Sequence, residues 1–339
     1  MVESFVPRLV NGPFEDPVLY IGFRYKRRAM LFDLGKIDWL GLSEIHKISD
    51  VFISHTHIDH FIGFDHLLRC SLNREEDLRI YGPKGIIQNV QGKLAGYTWN
   101  LIQGYPLKIV VREIDAGQQT AVRFSAVKKF DSEPVAIGDF SGVLLDEPSF
   151  AVETRILDHS ISCLGFALKE KNRLNVRRER LEAMELKSGP WLDQLKKMLR
   201  ERAPETTRLE CFTKNGASLN LTLREWRENL ILETRGQKIA YVVDCVFSDA
   251  NIEQILALAR EADLFFCEAA FSKEDQARAT ERYHLTAQQA AELARMAQVK
   301  KLIPFHFSLR YEAEPNRLFQ EAMEAFSQTP PSRTVGRIP

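Results

Sequence analysis

Neither sign of charge dominates this chain of 339 residues: Lys and Arg total 46, and Asp and Glu total 46. A neutral chain has no overall field with which to gather a polyanion, so any contact with nucleic acid must come from a local patch. Cysteine is thin as well. The five (Cys70, Cys163, Cys211, Cys245, Cys267) are scattered, odd in number and without CxxC spacing. That argues against a disulfide framework and for reduced thiols in a cytoplasmic protein. No uncharged apolar run is long enough to span a bilayer. Met1-Val2-Glu3-Ser4-Phe5 has no basic region followed by an apolar core, so no signal peptide is expected. Internal repeats and low-complexity tracts are missing too. The remaining composition, 45% hydrophobic and 27% charged, is that of a globular protein with a sizeable core.

Histidine is sparse at eight residues, which makes its distribution informative. Three of the eight fall in Ser54-His55-Thr56-His57-Ile58-Asp59-His60, directly after the apolar Val51-Phe52-Ile53. The spacing predicts a short buried strand ending in a loop. In an extended segment, residues two apart face the same way, so His55 and His57 can grip one metal ion together. Asp59 and His60 then turn toward a neighbouring position, as a two-metal hydrolase requires. Imidazole is the commonest transition-metal ligand, and zinc accepts mixed nitrogen and oxygen donors. A lone histidine would be read as a surface or core residue; this constellation is not.

The rest of the chain predicts a hairpin over Leu19–Tyr25 and Ala29–Leu34, with Lys26-Arg27-Arg28 at its tip. Later strands are expected at 108–114, 121–128, 149–156, 161–168, 229–233, 238–244, 263–267 and 301–305. Helices are expected at 64–72, 85–95, 250–260, 286–298 and 315–327. Thr286 is the expected N-cap of an alanine-faced helix. Strands dominate early and alternate with helices late, which suits two sheets packed together with helices outside. One domain over 1–339 is expected, with an inserted, arm-like segment at about 170–205. There Lys169 to Glu182 is dense in charge, Gly189-Pro190 breaks the chain, and Leu192 to Leu199 resumes as a basic amphipathic helix.

Three further histidines and one carboxylate sit where ligands or catalytic groups are expected. His159 falls in the turn between two predicted strands, and His306 ends the strand Lys301-Leu302-Ile303-Pro304-Phe305. His284 precedes the alanine-rich helix. Asp244 ends Ala240-Tyr241-Val242-Val243, where a carboxylate terminating a buried strand needs a strong partner. His46 and His66 lie on charged or helical stretches and are read as structural.

These motifs, in this order, resemble the metallo-β-lactamase superfamily. His306-Phe307-Ser308-Leu309-Arg310-Tyr311 is similar to the HFSxRY segment of its ribonuclease Z branch. Cys267-Glu268-Ala269-Ala270-Phe271 resembles that branch's HEATF, and Tyr283-His284-Leu285-Thr286-Ala287 its GHSTA. The resemblance covers roughly residues 29 to 311. It implies an α/β fold, the four-layer αβ/βα sandwich of two mixed sheets, with the site along one edge. It implies two Zn²⁺, with Mn²⁺ as an alternative: one held by His55, His57 and His159, the other by Asp59, His60 and His306, with Asp244 bridging. Asp59 becomes the candidate proton acceptor, and Glu268 with His284 the pair that protonates a departing 3′ oxygen. The expected substrate is precursor tRNA, trimmed at its 3′ end by a homodimer with no role at a membrane. Arg173, Arg177, Arg178, Lys196, Lys197 and Arg200 of the inserted segment would meet its phosphates.

The chain departs from that pattern in places. Leu9-Val10-Asn11-Gly12-Pro13-Phe14-Glu15-Asp16 replaces the family's glycine-rich opening strand and early Ser/Thr segment. Cys267 stands for the first histidine of HEATF, and Cys245 for the threonine after the bridging aspartate. The competing functions are a phosphodiesterase for small substrates such as cyclic nucleotides, and a metal-bearing RNA-binding protein without turnover.

Overall fold

The computed structural model describes residues 3–328. The chain divides into two compact units. The first holds the described residues up to Leu144, Glu153–Ala167 and those from Lys238 onward; the second holds Leu145–Val152 and Leu168–Gln237.

One sheet has eight strands in chain order: β1 (Phe5–Leu9), β2 (Leu19–Phe23), β3 (Ala29–Phe32), β4 (Ile48–Phe52), β5 (Leu78–Pro83), β6 (Lys108–Asp115), β7 (Gln118–Ser125) and β8 (Ser132–Asp139). β3 to β6 run parallel and the flanking strands antiparallel. The other large sheet uses β9 (Val143–Glu147), β10 (Phe150–Asp158) and β11 (Ser162–Glu170). After the second unit it continues with β16 (Lys238–Val242), β17 (Leu264–Glu268) and β18 (Leu302–Phe305), in the order β18-β17-β16-β11-β10-β9. Both sheets are thus mixed, as expected.

Strand periodicity sorts the side chains into layers. Leu31, Val51, Ile53 and Ile80 join an outer apolar cluster with Ile45 of α1 (Leu42–Ile45), Leu67 of α3 (Phe64–Ser71) and Val90 of α4 (Ile86–Ala95). Their neighbours Phe32, Phe52 and Tyr81 point the opposite way and stack at 5.0 and 4.8 Å. Phe32 meets Phe166 and Tyr241 of the other sheet at 5.4 and 5.8 Å, and Tyr241 meets Phe305 at 5.3 Å. This aromatic seam binds the two sheets face to face. Beyond the second sheet, α8 (Asp249–Ala259), α10 (Ala287–Met296) and α11 (Arg317–Ser327) enclose another apolar cluster, completing the four layers. Thr286 caps α10 with its side chain, and Ala287, Ala290, Ala291 and Ala294 are buried as the expected small-residue face. Among the described residues no helix is long and apolar enough to cross a membrane.

The second unit is larger than the segment expected at 170–205. It carries two antiparallel pairs, β12 (Arg173–Val176) with β15 (Ile231–Thr234) and β13 (Arg208–Phe212) with β14 (Ser218–Thr222). Its helices are α5 (Arg178–Ala183), α6 (Pro190–Arg200) and α7 (Leu223–Leu230). Pro190 opens α6 at a position that needs no N–H. The strand expected at 229–233 starts only at Ile231, because α7, opened by a capping box between Thr222 and Glu225, runs through Leu230. The unit reaches Gln237 because its own core requires it: Leu195 of α6 packs with Leu209 and the fully buried Trp226, whose ring meets Trp191 at 5.1 Å. Arg173 differs from its expected role. Its guanidinium is held at 2.7 Å by Glu170, which ties it to the fold rather than offering it to a phosphate.

Trp226→Ala is therefore expected to destabilise the second unit by about 3–5 kcal/mol. Calorimetry should resolve this as an early transition, with the first unit melting as in the parent protein.

Candidate metal centre

The site is assembled where strands of the two sheets end. β4 delivers Ser54 and His55, His57 caps the short helix α2 (Ile58–Phe61), and Asp59 and His60 lie within that helix. Two glycines let this loop close. Leu34 N–H donates to His60 O and Gly63 N–H to Leu34 O, both at 2.9 Å. A Cβ on Gly63 would lie 2.1 Å from Gly35 O, and one on Gly35 would lie 2.6 Å from Asp59 O. His159 comes from the turn after β10, Asp244 follows β16, and His306 follows β18. Asp244 and His306 adopt left-handed backbone, with φ of 47° and 57°, and so does Asp33 after β3, at 58°. Non-glycine residues in this region turn the chain sharply and cluster at functional sites.

All the expected residues converge. Ligand atoms of His55, His57, His159 and Asp244 lie within 4.8 Å of one another, as do those of Asp59, His60 and His306, and those of Asp244, Glu268 and His284. Asp244 is central. Its Oδ2 lies 3.4 Å from His55 Nε2, 3.3 Å from His60 Nε2 and 3.6 Å from His159 Nε2, and its Oδ1 lies 3.0 Å from His306 Nε2. Donors held at about 2.0–2.1 Å on a tetrahedral ion stand roughly 3.3–3.4 Å apart. His55 Nε2, His60 Nε2 and Asp244 Oδ1 are buried without a hydrogen-bond partner. Leaving such atoms unmet costs about 1–3 kcal/mol each, and a cation among them removes that cost. The donor set of imidazoles and carboxylates fits a divalent metal.

Electrostatics agree with ligation. Burial, reinforced by His60, pushes His55 down to about 2, so its imidazole stays neutral with a lone pair to give. Burial also opposes charge on His60, but Asp244 and Asp33 outweigh it and hold the ring protonated far above the usual histidine range. Burial likewise disfavours the Asp244 carboxylate, yet His306 and His60 hold it ionised well below the usual range. A cation at the centre takes over the role of those protons.

Supporting groups fix the rings. Asp33, fully buried, accepts from the Ser54 N–H at 2.7 Å, from Ser54 Oγ at 2.9 Å and from the Tyr241 hydroxyl at 2.8 Å, and it pairs with His60 Nδ1 at 2.9 Å. His159 Nδ1 donates to Tyr283 O at 2.8 Å. The sequence reading missed Asp33, although it ends the apolar run Ala29–Phe32 just as Asp244 ends its own strand. Glu268 is wholly buried; it accepts from the Cys245 N–H at 2.8 Å and the Leu285 N–H at 3.3 Å, and pairs with His284 Nδ1 at 2.8 Å. Burial disfavours a charged His284, but Glu268 outweighs it and raises the ring to about 9. His46 and His66 stand apart: His46 ends α1, and His66 pairs with Asp38 at 3.0 Å. A cleft of about 660 Å³ opens over the centre. His57, Asp59, His159, Asp244, His284 and His306 line it, but Glu268 does not.

A sandwich of two mixed sheets with a histidine–aspartate centre at the strand ends defines a class, the β-lactamase superfamily domain. Its family model matches residues 38–173 and 208–307. Ribonuclease Z of Deinococcus radiodurans is 28% identical over 302 residues, covering 88% of each chain. Ribonuclease Z of Bacillus cereus (strain AH187) is 32% identical over 289 residues, covering 84% of this chain and 78% of the relative. The crystal structure of the metallo-β-lactamase fold protein YhfI from Bacillus subtilis superposes with a TM-score of 0.55. It is 15% identical and covers 95% of this chain and 93% of its own. The chain belongs to the ribonuclease Z family of that superfamily.

Asp33→Ala should weaken divalent-metal binding by about 10- to 100-fold, the usual effect of losing the partner that orients a ligand. Tyr241→Phe, which removes a hydroxyl donor to Asp33 without touching the His60 contact, should change affinity far less. Zinc titration of both variants, monitored by calorimetry, separates the two.

Proposed function

We propose that the protein is a zinc-dependent endoribonuclease of the cytoplasm that removes 3′ trailers from precursor tRNA. The observation that carries this is the convergence of seven candidate ligand residues, Asp244 central among them, beside a Glu268–His284 pair, in a chain of the ribonuclease Z family. His55, His57 and His159 would hold one ion, Asp59, His60 and His306 the other, and Asp244 would serve both. When bound, two Zn²⁺ (or Mn²⁺) lower the pKa of a water and neutralise charge developing on the phosphate.

The protein groups divide the proton work. Asp59 faces the cleft and accepts the proton of the attacking water. His284 Nδ1–H is engaged by Glu268, so its other nitrogen is left to donate to the departing 3′ oxygen. Glu268 does not reach the cleft and acts through His284, as a positioning residue.

The second unit is the candidate tRNA-holding arm, with Arg177, Arg178, Lys196, Lys197 and Arg200 as its phosphate contacts. A homodimer, in which one subunit's arm clamps tRNA held by the other, belongs to the same proposal and is measured by sedimentation.

The direct test is purified protein with zinc or manganese and precursor tRNA carrying a 3′ trailer. Release of the trailer is expected, and turnover confined to a bis-aryl phosphodiester would instead favour a small-substrate phosphodiesterase. RNA binding without any turnover would favour the non-catalytic alternative. Asp244→Ala should lose both metal and activity. His284→Ala should keep about two metals and lose on the order of a hundredfold or more in rate; loss of metal there would make His284 a ligand instead. Glu170 N–H donates to Gln237 O at 2.8 Å, so the ends of the arm are adjacent and a short linker can replace residues 171–236. That deletion should cripple tRNA cleavage and spare the bis-aryl substrate.

A further inference from the structure

The cleft over the metal centre is not uniform in charge. Arg278, Arg282 and Arg310 line it, as do Glu15 and Asp16. Arg310 is partly matched, with its guanidinium 3.5 Å from Asp275. Arg278 and Arg282 are exposed; Arg278 feels the same Asp275 carboxylate at longer range, and neither makes a close ion pair among the described residues. They are one helical turn apart: Arg278 lies in α9 (Gln276–Glu281), and the Arg282 N–H donates to Arg278 O at 3.0 Å. Side chains four apart share a face, with Cβ atoms about 5–6 Å apart. The next turn of chain carries His284, whose N–H donates to Ala279 O at 2.8 Å. The two arginines are thus built into the segment that presents the proton donor. The acidic residues sit elsewhere, beside the metal loop. Asp16 packs on Gly35, where a Cβ would lie 2.5 Å from Asp16 Cβ and 2.6 Å from Asp59 O. The Phe14 ring meets Phe307 edge-on at 5.4 Å.

A neutral protein that acts on RNA must place its cations where the backbone passes. Resting on the function proposed above, we infer that Arg278 and Arg282 grip consecutive phosphates immediately 5′ of the scissile bond. Those phosphates belong to the strand whose 3′ oxygen departs beside His284. The carboxylates of Glu15 and Asp16 leave the Asp59 side without such a grip, so the strand is held in one direction. A planar guanidinium suits phosphate oxygens better than a lysine would, because it donates two parallel bonds.

The test uses the full-length, metal-loaded protein and precursor tRNA with one neutral methylphosphonate linkage, placed either one position 5′ or one position 3′ of the scissile bond. In the parent protein the 5′ replacement should lower kcat/KM about fivefold, as expected of an exposed charge contact, and the 3′ replacement should have little effect. Arg278→Gln and Arg282→Gln should raise KM on unmodified RNA with kcat nearly unchanged, and at least one should become insensitive to the 5′ replacement. Each should flatten the salt dependence of RNA affinity by roughly one logarithmic unit of slope. This is read by fluorescence anisotropy with the metal-loaded protein and mature tRNA, which keeps the 5′ strand and carries no trailer to cleave. Turnover of bis(p-nitrophenyl) phosphate should fall by less than cleavage of precursor tRNA. If both variants lose as much to the 5′ replacement as the parent does, or if the small diester slows equally, the inference is overturned. If the parent protein fails to cleave unmodified precursor tRNA, the proposed function falls first and this inference with it.

Discussion

Burying a carboxylate at the floor of an aromatic-walled sandwich costs several kcal/mol unless positive charge meets it there. Asp244 is such a group, and much of the local architecture serves to surround it. β4, β10, β16 and β18 all run out at the same edge, and each strand end or following loop brings an imidazole or carboxylate to that floor. Left-handed turns at Asp244 and His306 fold both side chains back over the edge. Glycines at 35 and 63 let α2 sit close enough for His60 to be reached from both sides, by Asp33 behind and Asp244 in front. The site is therefore strained, dense in charge and held by packing on every side, which is how a preformed cation site is kept when its donors would repel one another.

Local pattern made the centre legible in the sequence. His55, His57, Asp59 and His60 are contiguous, and their alternation on a strand end carries geometric meaning without knowledge of the fold. His159, His306 and Asp244 were legible because each interrupts or ends an apolar strand, where a polar residue needs a reason. Asp33 obeys the same rule and was overlooked, since a single aspartate after a hairpin strand also reads as an ordinary turn residue. The pairing of Glu268 with His284 across a loop was expected only through the family resemblance of the two motifs that carry them, and nothing in the sequence revealed the way the Tyr241 hydroxyl crosses between the sheets to reach Asp33.

The second unit shows where pattern reading stops short. Its charge-rich opening and Gly189-Pro190 break were visible, but its C-terminal limit depends on tertiary closure around Trp226. Within the same unit Arg173, one of a run of basic residues, is paired with Glu170 three residues earlier, while Arg178, Lys197 and Arg200 remain exposed. In a chain with no net charge, the disposition of a few cations decides where a polyanion can lie. That disposition is set by which arginines the fold pairs internally and which it leaves at the lip of the cleft.

The central proposal is that Asp244 and the residues around it would hold two divalent ions through imidazole and carboxylate alone. X-ray absorption at the zinc edge on the loaded protein tests it most directly. Expected are nitrogen and oxygen scatterers at about 2.0–2.1 Å, with no sulfur at roughly 2.3 Å despite the buried Cys163, and a second metal at about 3.5–4 Å. A sulfur shell, or a single isolated ion at full loading, would contradict the account.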